Sequence, residues 1–145
     1  MNTVIFDIDG TLADISQRLP FIQQTPKDWD SFKAAAVDDA PIPEIIWLAR
    51  VVAAGAESVI YMSGRNESSR EITWNWLKQN GLPEAPLYMR ADGDFRPDFE
   101  VKAELLERAK ADGYDPFMAI DDRTQVVEMW RSKGIRTLQV AKGDY

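Results

Sequence analysis

The hydrophobic residues of this chain fall into short runs that alternate with longer amphipathic segments. Runs rich in β-branched and aromatic residues predict five β-strands, at residues 3–8, 57–62, 87–89, 117–120 and 135–140. Four longer segments repeat apolar residues at helical spacing and end close to a glycine, which predicts helices at residues 43–54, 68–80, 99–111 and 124–133. This alternation predicts a Rossmann-like three-layer α/β/α fold with a mostly parallel sheet.

Residues 13–40 fit this alternation poorly. They contain two prolines and the segment Trp29-Asp30-Ser31-Phe32, without a clear strand or helix period. We interpret them as a small cap or insertion over one edge of the sheet. No repeat, low-complexity tract or interdomain linker is visible, so residues 1–145 are expected to form a single domain.

Composition narrows the chemistry that this domain can perform. Of its 145 residues 45% are hydrophobic and 28% are charged, which is typical of a soluble globular protein. It has no cysteine and no histidine, which excludes disulfides, thiolate or imidazole metal sites and Ser–His or Cys–His triads. Catalysis would therefore use carboxylates, hydroxyls, amines, guanidinium groups or a hard metal ion.

Net charge and hydropathy limit the partners. The formal net charge of −7 argues against an extended basic face for nucleic acid, although a local basic pocket remains compatible with it. The longest apolar run, residues 45–49, is far too short to cross a membrane, and the first residues do not resemble a signal peptide. We expect a cytoplasmic protein with no membrane partner.

Polar residues lie at the ends of three predicted strands. The first strand ends in Asp7-Ile8-Asp9-Gly10-Thr11, the second in Ser63-Gly64-Arg65 and the fourth in Asp121-Asp122-Arg123. Open α/β sheets bind ligands beyond the carboxyl ends of their strands, so these segments predict a site there. Lys102 lies in the first turn of the third predicted helix, where the helix dipole disfavours a cation, which indicates a nearby anion or carboxylate.

These residue types together suit phosphoryl transfer. Four clustered carboxylates repel one another and need a cation between them, and oxygen ligands suit Mg²⁺. A metal ion opposite a lysine and an arginine neutralises a phosphoryl group in transfer. One carboxylate can attack phosphorus while a second, two residues on, protonates the leaving oxygen. The Ser63 hydroxyl and nearby backbone N–H groups could hold the phosphoryl oxygens.

Taken in chain order, the first segment, the second segment, Lys102 and the third segment resemble the four motifs of the haloacid dehalogenase superfamily of phosphohydrolases. The resemblance covers the whole chain. The resemblance implies that Asp7 is a nucleophile that forms an aspartyl-phosphate and that Asp9 is the general acid–base. Because the superfamily's dehalogenases lack this second aspartate, Asp9 favours a phosphatase. The resemblance also implies that Ser63 and Lys102 hold the phosphoryl group. It implies Mg²⁺ ligation by Asp7, the backbone carbonyl of Asp9, and Asp121 or Asp122.

A closer resemblance is to the 3′-phosphatase domain of phage polynucleotide kinase–phosphatase. It is carried by residues 62–68, 119–131 and 139–145 and by the spacing of Arg90, Asp94, Arg96, Asp98 and Lys102. It implies a substrate-binding role for Thr11, Arg18, Gly64, Arg65 and Asp98. The kinase half of that enzyme needs a Gly-x-x-x-x-Gly-Lys-Ser/Thr loop, which this chain does not contain, so we expect no kinase domain.

Several of these residues have simpler interpretations. Asp-Gly and Ser-Gly pairs also form ordinary turns, and a lysine can lie along the surface of its helix. Asp121 or Asp122 could cap the helix that follows, and Asp98 the helix near residue 99. Arg123 could belong either to a structural ion pair or to the site.

The tryptophans also allow two interpretations. Trp47, Trp76 and Trp130 lie on the apolar stripes of predicted helices and are predicted to be core residues. Trp29 and Phe32, in the insertion, are better candidates for contact with a base or a ribose.

The function expected from the sequence is Mg²⁺-dependent hydrolysis of a phosphate monoester through an aspartyl-phosphate. The closest resemblance implies a 3′-phosphate on a polynucleotide end or a nucleotide, so the expected partner is a phosphorylated nucleotide or nucleic-acid end. Two alternatives stay open, namely a nucleotidase that acts on free mononucleotides and a non-catalytic phosphate-binding module.

Overall fold

A five-stranded parallel sheet forms the centre of the computed structural model, which describes residues 2–55 and 58–145. Seven strands are present in this part of the chain, in order β1 Asn2–Phe6, β2 Ala13–Asp14, β3 Ala40–Pro41, β4 Ser58–Asn66, β5 Leu87–Arg90, β6 Asp115–Asp121 and β7 Arg136–Gln139. The central sheet has the order β5-β4-β1-β6-β7, and β2 and β3 form a separate antiparallel pair. The α/β fold predicted from the sequence is therefore confirmed.

Helices cover both faces of the sheet. They are α1 Pro20–Gln23, α2 Trp29–Ala34, α3 Pro43–Gly55, α4 Arg70–Gln79, α5 Asp98–Ala111 and α6 Thr124–Ser132. In β1, Val4 and Phe6 face the core shared with α3 and α4, while Ile5 faces the core shared with α5 and α6. This alternation follows from the two-residue period of a strand. Every helix among residues 2–55 and 58–145 is either too short or too polar to span a bilayer.

The predicted elements differ from the observed ones mainly at their ends. The strand predicted at residues 57–62 begins at Glu57, which lies outside the described residues, and β4 continues to Asn66. The strand predicted at residues 3–8 ends at Phe6, although the Asp7 N–H still donates to the Ile120 carbonyl at 3.0 Å. Beyond Asp7 the chain turns back at Gly10, whose φ of +83° favours glycine.

The insertion predicted at residues 13–40 lies between β1 and α3. It leaves the carboxyl end of β1, the central strand, and returns through the β2–β3 pair, with α1 and α2 between. It is held by Trp76 in α4, whose indole N–H donates to the Asp39 carbonyl at 2.8 Å. Because it begins at a central strand, it lies beside the carboxyl ends of β1 and β4. The small insertion expected from the sequence is thus present, with the antiparallel β2–β3 pair at its ends.

Two of the three tryptophans predicted in the core are buried. Trp76 and Trp130 are 3% and 0% exposed, but Trp47 is 64% exposed, so that prediction is wrong. The physical reason is the rotation of α3, which turns Ile46 and Ala49 towards the sheet and leaves Trp47 on its outer side.

Candidate active site

The sequence-predicted site residues meet at the carboxyl ends of β1, β4 and β6, which are neighbours in the sheet. Asp7 follows β1, Ser63 and Arg65 belong to the last part of β4, and Asp121 is the last residue of β6. The candidate residues fall into three neighbouring groups of contacts, which together make up the site network: Asp7, Thr11, Lys102, Asp121 and Asp122; Asp9, Arg18, Ser63 and Arg65; and Gly64 and Asp98.

Asp7 is buried and held by two donors. Its Oδ1 accepts from Lys102 Nζ at 2.7 Å, and its Oδ2 accepts from the Thr11 hydroxyl at 2.9 Å. Burial, followed by the repulsion of Asp121, raises the pKa of Asp7 well above its ordinary value. The positive charge of Lys102 therefore does not fully offset the burial of the Asp7 carboxylate and its repulsion by Asp121.

Lys102 bridges two carboxylates. It lies in the second turn of α5 rather than the first, because the helix begins at Asp98. Its ammonium contacts Asp121 Oδ2 at 3.0 Å as well as Asp7, and it is almost fully buried. Burial alone would lower the pKa of Lys102, but Asp121 and Asp7 outweigh it and raise that pKa. Lys102 is therefore a fixed positive charge at the centre of the site.

Asp7, Asp121 and Asp122 could hold a metal ion. All three are buried, and each offers a carboxylate oxygen within 4.8 Å of the others. Burial, the largest cause, raises the pKa of Asp122 as it does that of Asp7, so both carboxylates lack compensating charge. A divalent cation would supply that charge, and a donor set made only of hard oxygens fits Mg²⁺.

Asp121 and Asp122 differ in how many hydrogen bonds the protein donates to their carboxylate oxygens. Both oxygens of Asp121 accept from the protein, one from the Asp122 and Arg123 N–H groups and the other from Lys102 and the Trp130 indole. Asp122 Oδ2 accepts from the Tyr145 hydroxyl at 2.6 Å, but the nearest donor to its Oδ1 among the hydrogen bonds of the described residues is the Thr11 hydroxyl, 3.5 Å away. The alternative that either aspartate caps α6 is wrong, because no side chain caps that helix.

Asp9 lies in a second cluster with two arginines. Arg65 contacts its Oδ1 at 2.6 Å and Arg18 at 2.9 Å. Burial alone would raise the pKa of Asp9, but the charges of Arg65 and Arg18 outweigh it and hold that pKa below its ordinary value. Both arginines also contact the buried carboxylate of Asp39. Arg18 donates to it from Nε and from Nη2, each at 2.9 Å. Arg18 and Arg65 thus reach the site but bind carboxylates there.

Ser63 and Gly64 shape the wall formed by the end of β4. The Ser63 hydroxyl is buried and accepts from the Arg65 N–H at 3.0 Å. A Cβ placed on Gly64 would lie 2.6 Å from a carboxylate oxygen of Asp98, so this position needs a glycine unless Asp98 moves. A Cβ on Gly10 would likewise collide with the Asp122 carboxylate. Both glycines thus allow a close approach of backbone and carboxylate.

Asp98 and Arg123 form an ion pair at the edge of the site. Asp98 Oδ2 accepts from Arg123 at 2.7 Å, and its other oxygen accepts from Arg90. Asp98 is the first residue of α5 and does not cap it, so the capping alternative is wrong. Arg90 also donates to the carbonyls of Gly64, Asp94 and Arg96, which fixes the loop before α5.

Four residues of this network were missed by sequence reasoning. They are Asp39, Thr73, which accepts from Arg65 at 2.9 Å, and the donors Trp130 and Tyr145. Trp130 lies on an apolar stripe, which pointed to packing alone and gave no sign of its N–H contact. Tyr145 lies in a segment that carries the resemblance, but its contact with Asp122 was not expected, and no motif marks Asp39 or Thr73.

The comparisons with known proteins agree with this geometry. The whole chain, residues 1–145, matches the family model described as the polynucleotide kinase PNKP phosphatase domain. A chain in the solved structure of the Pnkp1/Rnl/Hen1 RNA repair complex is 30% identical, with a TM-score of 0.86, and the match covers 99% of this chain and 43% of that one.

Two further relatives extend the comparison. A protein of Autographa californica nuclear polyhedrosis virus, named as a bifunctional polynucleotide kinase/RNA ligase, is 28% identical over 143 residues, which are 98% of this chain and 20% of the viral protein. A HAD family enzyme of Bacteroides thetaiotaomicron, solved with magnesium and inorganic phosphate, shares the fold at 15% identity and a TM-score of 0.56, over 100% of this chain and 96% of that one. The chain thus spans a fifth of the viral relative and less than half of the RNA repair relative.

Proposed function

Because the chain belongs to the family of PNKP phosphatase domains, which are haloacid dehalogenase-like phosphohydrolases, we propose that it removes 3′-phosphates from polynucleotide ends or nucleotides with the help of Mg²⁺. The observation that carries the proposal is the buried Asp7 carboxylate, held by Lys102 beside Asp121 and Asp122. Residues 1–145 act in this proposal as a single phosphatase domain, with residues 13–40 as a small cap. The proposal concerns these residues alone and not the other parts of the longer relatives.

Asp7 is the proposed nucleophile. Its carboxylate oxygen forms a bond to phosphorus while the bond between phosphorus and the ester oxygen breaks. Lys102, 2.7 Å from Asp7 Oδ1, fixes the direction of the carboxylate and places a positive charge where phosphoryl oxygens gather negative charge. The Ser63 hydroxyl accepts from Arg65, which leaves its own proton to be donated to a phosphoryl oxygen. Thr11, which donates to Asp7 Oδ2, and Gly64, which follows Ser63, are further proposed substrate-binding residues.

Asp9 is the proposed general acid–base. A phosphate group that enters the site competes with Asp9 for the guanidinium groups of Arg18 and Arg65, which leaves Asp9 to face the leaving oxygen. Because the phosphate then takes the arginine charges that lower the pKa of Asp9, Asp9 binds a proton from solvent and donates it to that oxygen as the ester bond breaks. It then takes a proton from the water that attacks the aspartyl-phosphate, which releases inorganic phosphate and restores Asp7.

The proposed Mg²⁺ ligands are Asp7, the backbone carbonyl of Asp9, and Asp122. We assign Asp122 rather than Asp121 because Asp122 Oδ1 has only a long protein contact, whereas both oxygens of Asp121 accept from short donors. Asp121 then positions Lys102. A bound Mg²⁺ would neutralise charge on the carboxylates and on the phosphoryl oxygens.

The test is phosphate release, with Mg²⁺, from matched 3′-phosphate and 5′-phosphate substrates, each as a mononucleotide and as a short oligonucleotide. We expect the 3′-phosphate oligonucleotide to be preferred over its 5′ counterpart by at least about tenfold in kcat/KM. Equal or better activity on free mononucleotides would indicate a nucleotidase. No release from any substrate, including an aryl phosphate, would indicate a non-catalytic phosphate-binding module.

Tyr145→Phe is expected to weaken Mg²⁺ binding. The change removes the hydroxyl that donates to Asp122 at 2.6 Å, while it keeps the ring that lies against the Arg123 guanidinium. Since residues that orient a metal ligand typically contribute 10- to 100-fold to metal affinity or activity, we expect the half-saturating Mg²⁺ concentration to rise by about tenfold or more.

Tyr114→Phe is the matched control, because Tyr114 packs against the hydrophobic core beneath α5 and α6 and makes no described contact with the site residues. An Mg²⁺ dependence of Tyr145→Phe that coincides with those of the control and the wild type would contradict the role of Tyr145.

A further inference from the structure

Trp29 is an exposed aromatic side chain next to the candidate active site. It is the first residue of α2, and 49% of its surface is exposed. The start of α2 is fixed by Asp28, whose carboxylate accepts from the Ser31 N–H at 3.0 Å and from its hydroxyl at 2.6 Å. The backbone that carries the indole is therefore held in place although the side chain meets solvent.

A continuous set of contacts joins this indole to the reaction centre. The Trp29 ring stands edge to face against Phe32, with ring centres 5.8 Å apart. The Phe32 ring lies against the Arg18 guanidinium, 4.3 Å from its centre, and Arg18 contacts Asp9 at 2.9 Å. Together these distances place the Trp29 ring centre no more than about 10 Å from Arg18 Cζ. The indole is thus close enough to meet the nucleotide whose phosphate is bound.

A cation accompanies the aromatic pair. The Lys27 ammonium lies 5.7 Å from the centre of the Trp29 ring and is part of an exposed side chain. In a chain with a net charge of −7, a lysine at this place favours an anionic ligand. Proteins that bind single-stranded nucleic acid combine these two features, an aromatic ring for a base and a cation for the backbone.

We propose that Trp29, supported by Phe32, stacks against the base of the terminal nucleotide while its phosphate is bound at Asp7. Lys27 then faces the phosphodiester that precedes this nucleotide. The proposal rests on the proposed function and adds that the cap recognises a nucleotide rather than any phosphate monoester. Recognition of one terminal nucleotide is also compatible with the net charge of −7, which disfavours binding of a long polyanion.

The other strongly exposed tryptophan provides the contrast. Trp47 is 64% exposed, and it lines a shallow groove of about 650 Å³ with Pro41, Pro43, Arg50 and other residues, none of which belongs to the site network. Trp47→Ala is therefore a matched control for the loss of an exposed indole.

The experiment compares kcat/KM on a short 3′-phosphate oligonucleotide with that on the same oligonucleotide whose terminal residue is abasic, and with that on 4-nitrophenyl phosphate. Trp29→Ala is expected to lower kcat/KM on the base-bearing substrate by about 5- to 100-fold, mainly through KM. The ratio of base-bearing to abasic activity falls by the same factor. Trp29→Phe keeps most of that ratio, and Trp47→Ala keeps all of it.

Two results would overturn the proposal. An equal loss on all three substrates would mean that Trp29 only supports the cap. No loss on the base-bearing oligonucleotide would mean that the indole contacts something else, such as a partner protein. Failure of the proposed function differs from both, because the wild-type protein would then release no phosphate from either oligonucleotide, and the stacking proposal would fall with it.

Discussion

Asp7→Asn is expected to abolish phosphate release, with a fall in kcat of about four to six orders of magnitude. The amide has nearly the same shape as the carboxylate but cannot form a covalent bond to phosphorus. Lys102 keeps Asp121 as a partner at 3.0 Å, and Thr11 can still donate to the amide oxygen, so the variant should fold. The measurement is steady-state phosphate release at saturating Mg²⁺, with circular dichroism as the check on folding.

Asp115→Asn is the matched control for this change. Asp115 is the exposed first residue of β6, so the same substitution is made at the opposite end of a strand that ends in the site. We expect the control to keep the wild-type rate. A folded Asp7→Asn protein that retained activity within about tenfold of the wild type would exclude Asp7 as the nucleophile.

Asp39→Asn is expected to lower the free energy of unfolding by about 3 kcal/mol. The Asp39 side chain is fully buried and accepts from Arg18 Nε and Nη2, and Arg65 lies 3.4 Å away. A neutral amide would leave two largely buried guanidinium groups to share Asp9 alone. Because Arg18 keeps that one carboxylate, the loss should lie at the low end of the range for a broken buried ion pair.

Urea unfolding of Asp39→Asn beside Asp38→Asn measures this effect. Asp38 is the neighbouring residue and is exposed, so its substitution should change the free energy of unfolding by less than about 0.5 kcal/mol. Equal unfolding curves for the two variants would show that Asp39 does not hold the arginines. A loss confined to Asp39→Asn would identify the cap as part of the structure that positions Arg18 and Arg65.

The regular part of the fold was predictable because its pattern is local. Strand runs and helical stripes depend on neighbouring residues, and glycines mark helix ends, so every element of the central sheet was found. The meeting of the motifs at one sheet edge followed from the strands being parallel. Trp47 shows the limit of this reasoning, since α3 has apolar residues on more than one side and the sequence does not show which of them faces the sheet.

The cap and the outer contacts of the site were not predictable in the same way. Asp39 lies in a segment without a clear period, and its partners Arg18 and Arg65 are 21 and 26 residues away. Tyr145 contacts Asp122 across 23 residues, and only the folded chain brings the two together. The pairing of Asp9 with two arginines also depends on folding, because it needs the cap to return Arg18 to the end of β1.

The most direct test of the central claim is to trap the covalent intermediate. A reaction with a 3′-phosphate oligonucleotide and Mg²⁺ is quenched in acid within the first turnover, and the peptide that contains Asp7 is examined by mass spectrometry. We predict a phosphoryl group on Asp7 that is absent from Asp7→Asn and at least about tenfold less abundant after the same time of reaction with the matched 5′-phosphate. Phosphate release without any phosphoryl group on Asp7, or with one on another residue, would contradict it.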